Sequence, residues 1–185
     1  LVGSEMCIRD RLWPAFHYRL DLVKFQREAW EGYQRVNSLL ADKLLPLVED
    51  DDNLWIHDYH LLPFASELRK RGVNNRIGFF LHIPFPTPEI FNALPPNAEL
   101  LEQLCDYDLL GFQTESDRLA FLDCLSTQTR LTTRGGTHHT AWGKTFQTEV
   151  YPIGIEPKEI AQQASGPLPP KLCLLYTSPS PRDRS

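Results

Sequence analysis

The chain has no run of about 18 apolar residues, which excludes a membrane-spanning helix, and its first residues lack the charged start and apolar stretch of a secretion signal. A soluble, cytoplasmic protein with no membrane partner is expected. Positive charge is also short: 19 Lys and Arg stand against 24 Asp and Glu, a net of −5. A mildly acidic domain is poorly suited to nucleic-acid backbone, which needs a basic face. Cysteine is scarce, four residues with none in a Cys-x-x-Cys pair. No Gly-x-Gly-x-x-Gly or Walker-type loop occurs, and a self-contained dinucleotide or nucleoside-triphosphate site is not supported.

What is present is enough for one packed domain: 185 residues, 42% of them hydrophobic. The two ends read differently from the middle. Residues 1–11 (LVGSEMCIRDR) and 173–185 (CLLYTSPSPRDRS) resemble translations of one transposase adapter read on opposite strands, and both are set aside as artefacts. That leaves residues 12–157 as the domain and 158–172 as the start of a connection. Of the cysteines, Cys105 and Cys124 remain, both inside apolar helical patterns, which predicts small buried hydrophobes in a reducing compartment.

Apolar residues at Leu22, Phe25, Ala29, Tyr33, Val36, Leu40, Leu44 and Leu47 fall on one helix face, with Asp21 as cap and Pro46 ending the helix near Leu45. Residues 53–57 read as a buried strand, 62–71 as a helix stopped at Gly72, and 76–81 as a second buried strand. Strand, helix and strand in about thirty residues is the size of one right-handed crossover unit. Pro84, Pro86 and Pro88 then remove three donors within five residues, so this segment must be a stiff loop. Short helices are expected at 89–94 and 99–105, a strand at 107–112, and a helix from Thr114 to about Leu125 with Asp117 completing a capping signature. Residues 129–133 and 146–152 are further strand candidates around Gly135 and Gly136, with Gly154 ending the last. The pattern predicts an α/β fold, a Rossmann-like parallel sheet with helices on both faces.

Two segments carry chemistry. WIHDYH (residues 55–60) and FFLHIPFP (residues 79–86) each run an apolar strand into polar groups at its carboxyl end, where ligands of open α/β sheets bind. Asp58 could hold sugar hydroxyls, or equally cap the following helix. His82 is a candidate ligand group because the proline-locked loop fixes its direction, or a satisfied strand-end histidine. Trp13 lies in an aromatic cluster (WPAFHY, residues 13–18) that suits core packing or stacking on a sugar ring. His57 and His60 invite a metal reading, but no third ligand stands at a recognised distance, and His138 and His139 lie in a Gly-rich, polar, hairpin-like loop.

The motifs LWPAFHYR (12–19), WIHDYHLLP (55–63), RIGFFLHIPFPTPEIF (76–91), DLLGFQTESDRLAFL (108–122) and VYPIGIEP (150–157), in this order, closely resemble the bacterial trehalose-6-phosphate synthases, most of all the enterobacterial, UDP-glucose-dependent form. The resemblance implies the incomplete amino-terminal half of a two-domain, B-type retaining glycosyltransferase. Such enzymes move glucose from UDP-glucose onto glucose 6-phosphate, need no cofactor or essential metal, and commonly form homo-tetramers. It further implies that Asp58 and Trp13 bind the acceptor, that His82 contacts the transferred glucose, and that Trp13 and Ile83 govern anomer choice. No catalytic nucleophile is implied, because the departing phosphate assists the incoming hydroxyl on the same face.

The family's glycine-containing loop and a phosphate-binding arginine and tyrosine should precede Leu12. The cations that hold the donor diphosphate belong to a carboxyl-terminal domain absent from the sequence, so the piece alone is expected to be catalytically silent. Two other readings stay open: a non-catalytic regulatory member of a trehalose-making complex, and a metal-dependent hydrolase using His57, Asp58 and His60.

Overall fold

The computed structural model describes residues 12–23, 26–154 and 156–165. The adapter-like ends 1–11 and 173–185, the helix position Phe25, and residues 166–172 of the expected connection lie outside them. The chain divides after Pro152 into two compact units. The first contains α1 (Leu12–Phe16), α2 (Arg27–Leu44), β1 (Asn53–His57), α3 (Phe64–Lys70), β2 (Arg76–Phe80), α4 (Pro88–Phe91), α5 (Asn97–Leu104), β3 (Leu109–Phe112), α6 (Glu115–Gln128), β4 (Thr132–Arg134), β5 (His138–Ala141) and β6 (Lys144–Val150). The second contributes α7 (Pro157–Ala164).

One six-stranded sheet runs in the order β1-β2-β3-β6-β5-β4. β1, β2, β3 and β6 are mutually parallel, with His57 opposite Phe80 and Phe80 opposite Gly111. β5 and β4 extend it antiparallel through two hairpins. Because the parallel strands step across the sheet in one direction, right-handed crossovers place α3, α4 with α5, and α6 on a single face, not on both faces as the strand-helix pattern predicts. Ile56, Ile77, Phe79, Leu110, Phe112 and Phe146 point to that face and form the core with Leu68, Leu104 and Phe121. Phe121 of α6 packs on Phe112, tilted, and on Phe146, edge-on, at ring distances of 5.4 and 6.1 Å.

The opposite face carries larger, partly open rings, and two glycines make room for them. The Trp55 ring lies over Gly78, where a Cβ would come within 2.2 Å of it. Phe80 and Tyr151 lie over Gly111, at 2.8 and 3.0 Å from the position a Cβ would take. Glycine is required here by close approach rather than by backbone angle.

Several expected elements differ in detail. The long helix starts at Arg27, not Leu22, because the Asp21 carboxylate is held by Arg19 through two 2.8 Å hydrogen bonds and does not cap. Its buried stripe is Ala29, Tyr33, Asn37 and Ala41, whereas Leu40 is 40% and Leu47 72% exposed. Asn37 displaces the leucines because its amide reaches the carbonyls of Tyr33 and His60. Pro46 ends the α-helix as expected, in a 3-10 turn at Leu45–Leu47.

The segment 138–141 is a strand rather than a loop, and the sheet is therefore mixed. Thr114 accepts from the Asp117 amide at 3.2 Å, as its capping signature requires, and α6 runs on to Gln128. The last strand stops at Val150, before Gly154. Cys105 and Cys124 are free and buried, and burial pushes both thiols up to about 12. No described helix is long and apolar enough to cross a membrane.

Candidate functional site

At the carboxyl edge of the parallel strands, β1 delivers His57 and Asp58 while β2 delivers His82 and Ile83. Period-two alternation puts Trp55, His57, Phe80 and His82 on the open face of the sheet, as a row of rings. His57 meets Trp55 and Phe80 edge-on at 6.2 and 6.4 Å, and His82 meets Phe80 edge-on at 4.8 Å. His57 and His82 are joined directly, Nδ1 of the first lying 2.9 Å from Nε2 of the second.

Asp58 leaves the strand at φ +69°, ψ 165°. This region is nearly confined to glycine, and a side chain there costs of order 1–3 kcal/mol. The conformation is fixed from several sides. The Asp58 amide donates to the Phe80 carbonyl at 2.9 Å, and its own carbonyl accepts from Leu61 at 3.0 Å.

Behind it, the carbonyls of the 3-10 turn Tyr59–Leu61 are each taken by a side chain from elsewhere in the fold. The Tyr33 hydroxyl donates to Tyr59 at 2.7 Å, the Asn37 amide to His60 at 3.2 Å and the Tyr107 hydroxyl to Leu61 at 2.6 Å. Tyr33 also accepts from the Leu62 amide at 3.1 Å. Burial holds the Tyr33 and Tyr107 hydroxyls protonated, well above the usual tyrosine range, so both remain donors.

The Asp58 side chain makes no capping hydrogen bond to that turn. Its Oδ1 is buried without a partner. A buried, unsatisfied carboxylate oxygen is costly, so this side chain is not placed there for stability.

The loop after His82 is fixed at both ends. The Leu81 amide donates to Gly111, the Phe85 amide to the Asp117 carboxylate at 3.0 Å, and the Thr114 hydroxyl to the other Asp117 oxygen at 2.6 Å. Ile83, half-buried, packs against the core. Phe16 of α1 meets Phe85 and Phe91 edge-on at 5.5 and 6.1 Å, and the Thr87 amide donates to the Tyr18 hydroxyl at 3.2 Å, so α1 is docked on the same loop. On α1, the Trp13 indole stacks on His17 at 3.9 Å and is 40% exposed.

Asp58, His57, His82 and Ile83 thus stand together at one sheet edge, and Trp13 stands on an element docked to the loop that carries His82 and Ile83. Carboxylate, imidazole and indole in that arrangement suit a carbohydrate, whose hydroxyls donate and accept and whose C–H faces stack on aromatic rings.

The metal reading of His57, Asp58 and His60 fails on geometry. The His57 ring turns to His82 while the His60 ring packs on Tyr59 at 3.9 Å, and no group of three or more His, Cys, Asp or Glu side chains that could hold a metal occurs among the described residues. His138 and His139 are strand residues. His139 is buried between Thr133 and Thr148, with burial pulling its imidazole down to about 4. A cavity of about 520 Å³ lies at the opposite, amino-terminal edge of the sheet, lined by Asn53, Arg76, Asp108 and Gln147 among others, away from Asp58. Sequence reasoning missed the clamp of Tyr33, Asn37 and Tyr107 and the His57–His82 contact; the second could have been found from the equal spacing of each histidine beyond an aromatic on its strand.

Residues 5–175 match the profile of Glycosyltransferase family 20. The chain is 84% identical, over 164 residues, to a trehalose-6-phosphate synthase of Citrobacter koseri, covering 89% of this chain and 35% of that protein. An Escherichia coli structure bound with UDP-2-fluoro glucose superimposes with a TM-score of 0.83 at 76% identity, covering 92% of this chain and 40% of that one. An α,α-trehalose-phosphate synthase (UDP-forming) from Burkholderia xenovorans in complex with glucose-6-phosphate gives a TM-score of 0.79 at 52% identity, covering 84% and 35%. The chain spans about a third of the length of the curated relatives it matches.

Proposed function

The chain belongs to glycosyltransferase family 20, and from that premise we propose that the protein it is part of transfers glucose from UDP-glucose to glucose 6-phosphate with retention, giving α,α-trehalose 6-phosphate and UDP. In this reading Asp58 accepts hydrogen bonds from hydroxyls of the acceptor sugar, Trp13 walls the acceptor, His82 contacts the transferred glucose, and Ile83 with Trp13 governs which anomer is accepted. The observation that carries it is Asp58 itself: a carboxylate held in a strained backbone conformation at the carboxyl edge of the parallel strands, with no capping role in the turn behind it.

Transfer develops negative charge on the departing diphosphate, which fixed cations must stabilise. We assign those cations to the remaining two thirds of the protein. What this chain's residues do is hold the two sugars, so that the acceptor hydroxyl reaches the anomeric carbon on the face from which UDP leaves.

The test is UDP release by the full-length protein supplied with UDP-glucose and glucose 6-phosphate. Release that requires both sugars is expected. A folded full-length protein that binds glucose 6-phosphate and releases no UDP contradicts the transferase reading.

A further inference from the structure

The His57–His82 contact carries an inference that rests on the reading of His82 as a contact to the transferred glucose. We propose that His57 is a positioning residue which commits Nε2 of His82 and leaves Nδ1 as the nitrogen offered to the sugar. The two nitrogens are 2.9 Å apart and the rings are nearly parallel, 28° between planes, with centroids 5.1 Å apart. A hydrogen bond between neutral imidazoles needs one N–H and one lone pair. If His57 Nδ1 donates, His82 Nε2 is the acceptor and its Nδ1 carries the proton. If His82 Nε2 donates, its Nδ1 keeps the lone pair. In both arrangements the ring is held in one orientation with Nδ1 free, and a sugar hydroxyl can satisfy either state because it both donates and accepts.

The sheet builds this pair. His57 faces Phe80 across β1 and β2, and His82 lies two residues beyond Phe80, on the same side of the sheet. Trp55 and Phe80 both meet the His57 ring edge-on, and Phe80 does the same to His82. His57 is thereby restrained before substrate arrives, and holding a contact group in advance lowers the entropy lost on binding.

The experiment uses the full-length protein and compares H57L, H57N and H57Q, each alone and with H82A. Asparagine places its amide where Nδ1 of histidine stands; glutamine places it where Nε2 stands. Loss of one positioned hydrogen bond is expected to lower kcat/KM for UDP-glucose about ten-fold in H57L and H57Q, with recovery to within about three-fold of the parent in H57N.

The KM for glucose 6-phosphate should stay within about two-fold throughout, because the contact is to the other sugar. In the H82A background the three His57 variants should differ little from one another, since their effect passes through His82. A parent-like H57L, a failure of H57N to recover above H57Q, or an undiminished effect of H57L on top of H82A would each overturn the role of His57 while leaving the transferase reading intact. A parent protein that folds and releases no UDP would overturn that reading and this role with it.

Discussion

The hydroxyl of Tyr33 donates to the carbonyl of Tyr59 at 2.7 Å, from a helix 26 residues earlier in the chain. Through this bond, α2 holds the turn directly behind Asp58, so the helix that precedes the sheet shapes the edge on which Asp58 stands. Removing the hydroxyl in Tyr33→Phe leaves the Tyr59 carbonyl and the Leu62 amide without their partner. Urea unfolding should report a loss of about 1–3 kcal/mol, and the KM for glucose 6-phosphate should rise. Stability and KM both at parent values would show that the clamp does not govern the turn.

Strain at Asp58 separates function from stability. At φ +69°, ψ 165° glycine is at ease, so Asp58→Gly removes both the backbone strain and the buried, unpaired oxygen. The variant should be at least as stable as the parent in urea, while losing use of glucose 6-phosphate. A loss of 2 kcal/mol or more would mean that the carboxylate supports the fold.

Gly111 lies beneath Phe80 and Tyr151. The Cβ of Gly111→Ala must push the Phe80 ring, which stands 4.8 Å edge-on from His82. Overpacking of this kind costs about 1–3 kcal/mol, and the displaced ring should also weaken UDP-glucose binding by the full-length protein. Unchanged urea stability together with unchanged calorimetric affinity would count against the stacking of rings on glycines.

His139 gives the stability a pH dependence of known sign. In the fold, burial first and the neighbouring Arg118 second pull its imidazole from 6.5 down to about 4. An unfolded chain takes up a proton as pH falls through 6.5, whereas the fold resists until about pH 4. The contribution is therefore complete above pH 6.5 and is lost as pH falls toward 4. Unfolding free energies measured across this window should decline in the parent and decline less in His139→Gln. Identical slopes would place the proton uptake elsewhere.

Much of this was legible in the sequence because it depends on local rules. The strands at residues 53–57 and 76–80 were readable from short apolar runs, and the sites of Asp58 and His82 followed from polar residues at the ends of those runs. Thr114 and Asp117 were readable as a cap for the same reason. What was not legible depends on docking between distant segments. The phase of α2 could not be chosen between its leucines and Asn37, because the partner of Asn37 is the carbonyl of His60, 23 residues away. β5 escaped because its buried residues are a histidine held by two threonines and a single alanine, so its alternation is faint in the hydrophobic pattern. The cap reading of Asp58 could be set aside only by seeing that its carboxylate leaves the turn uncapped.

The most direct measurement is the acceptor kinetics of Asp58→Ala in the full-length protein, taken beside its calorimetric affinity for UDP-glucose. A carboxylate that holds the acceptor through the transition state should, when removed, lower kcat/KM for glucose 6-phosphate by about a hundred-fold or more, with UDP-glucose affinity within about three-fold of the parent. Acceptor kinetics equal to the parent's would contradict the assignment of this sheet edge as the sugar-binding site.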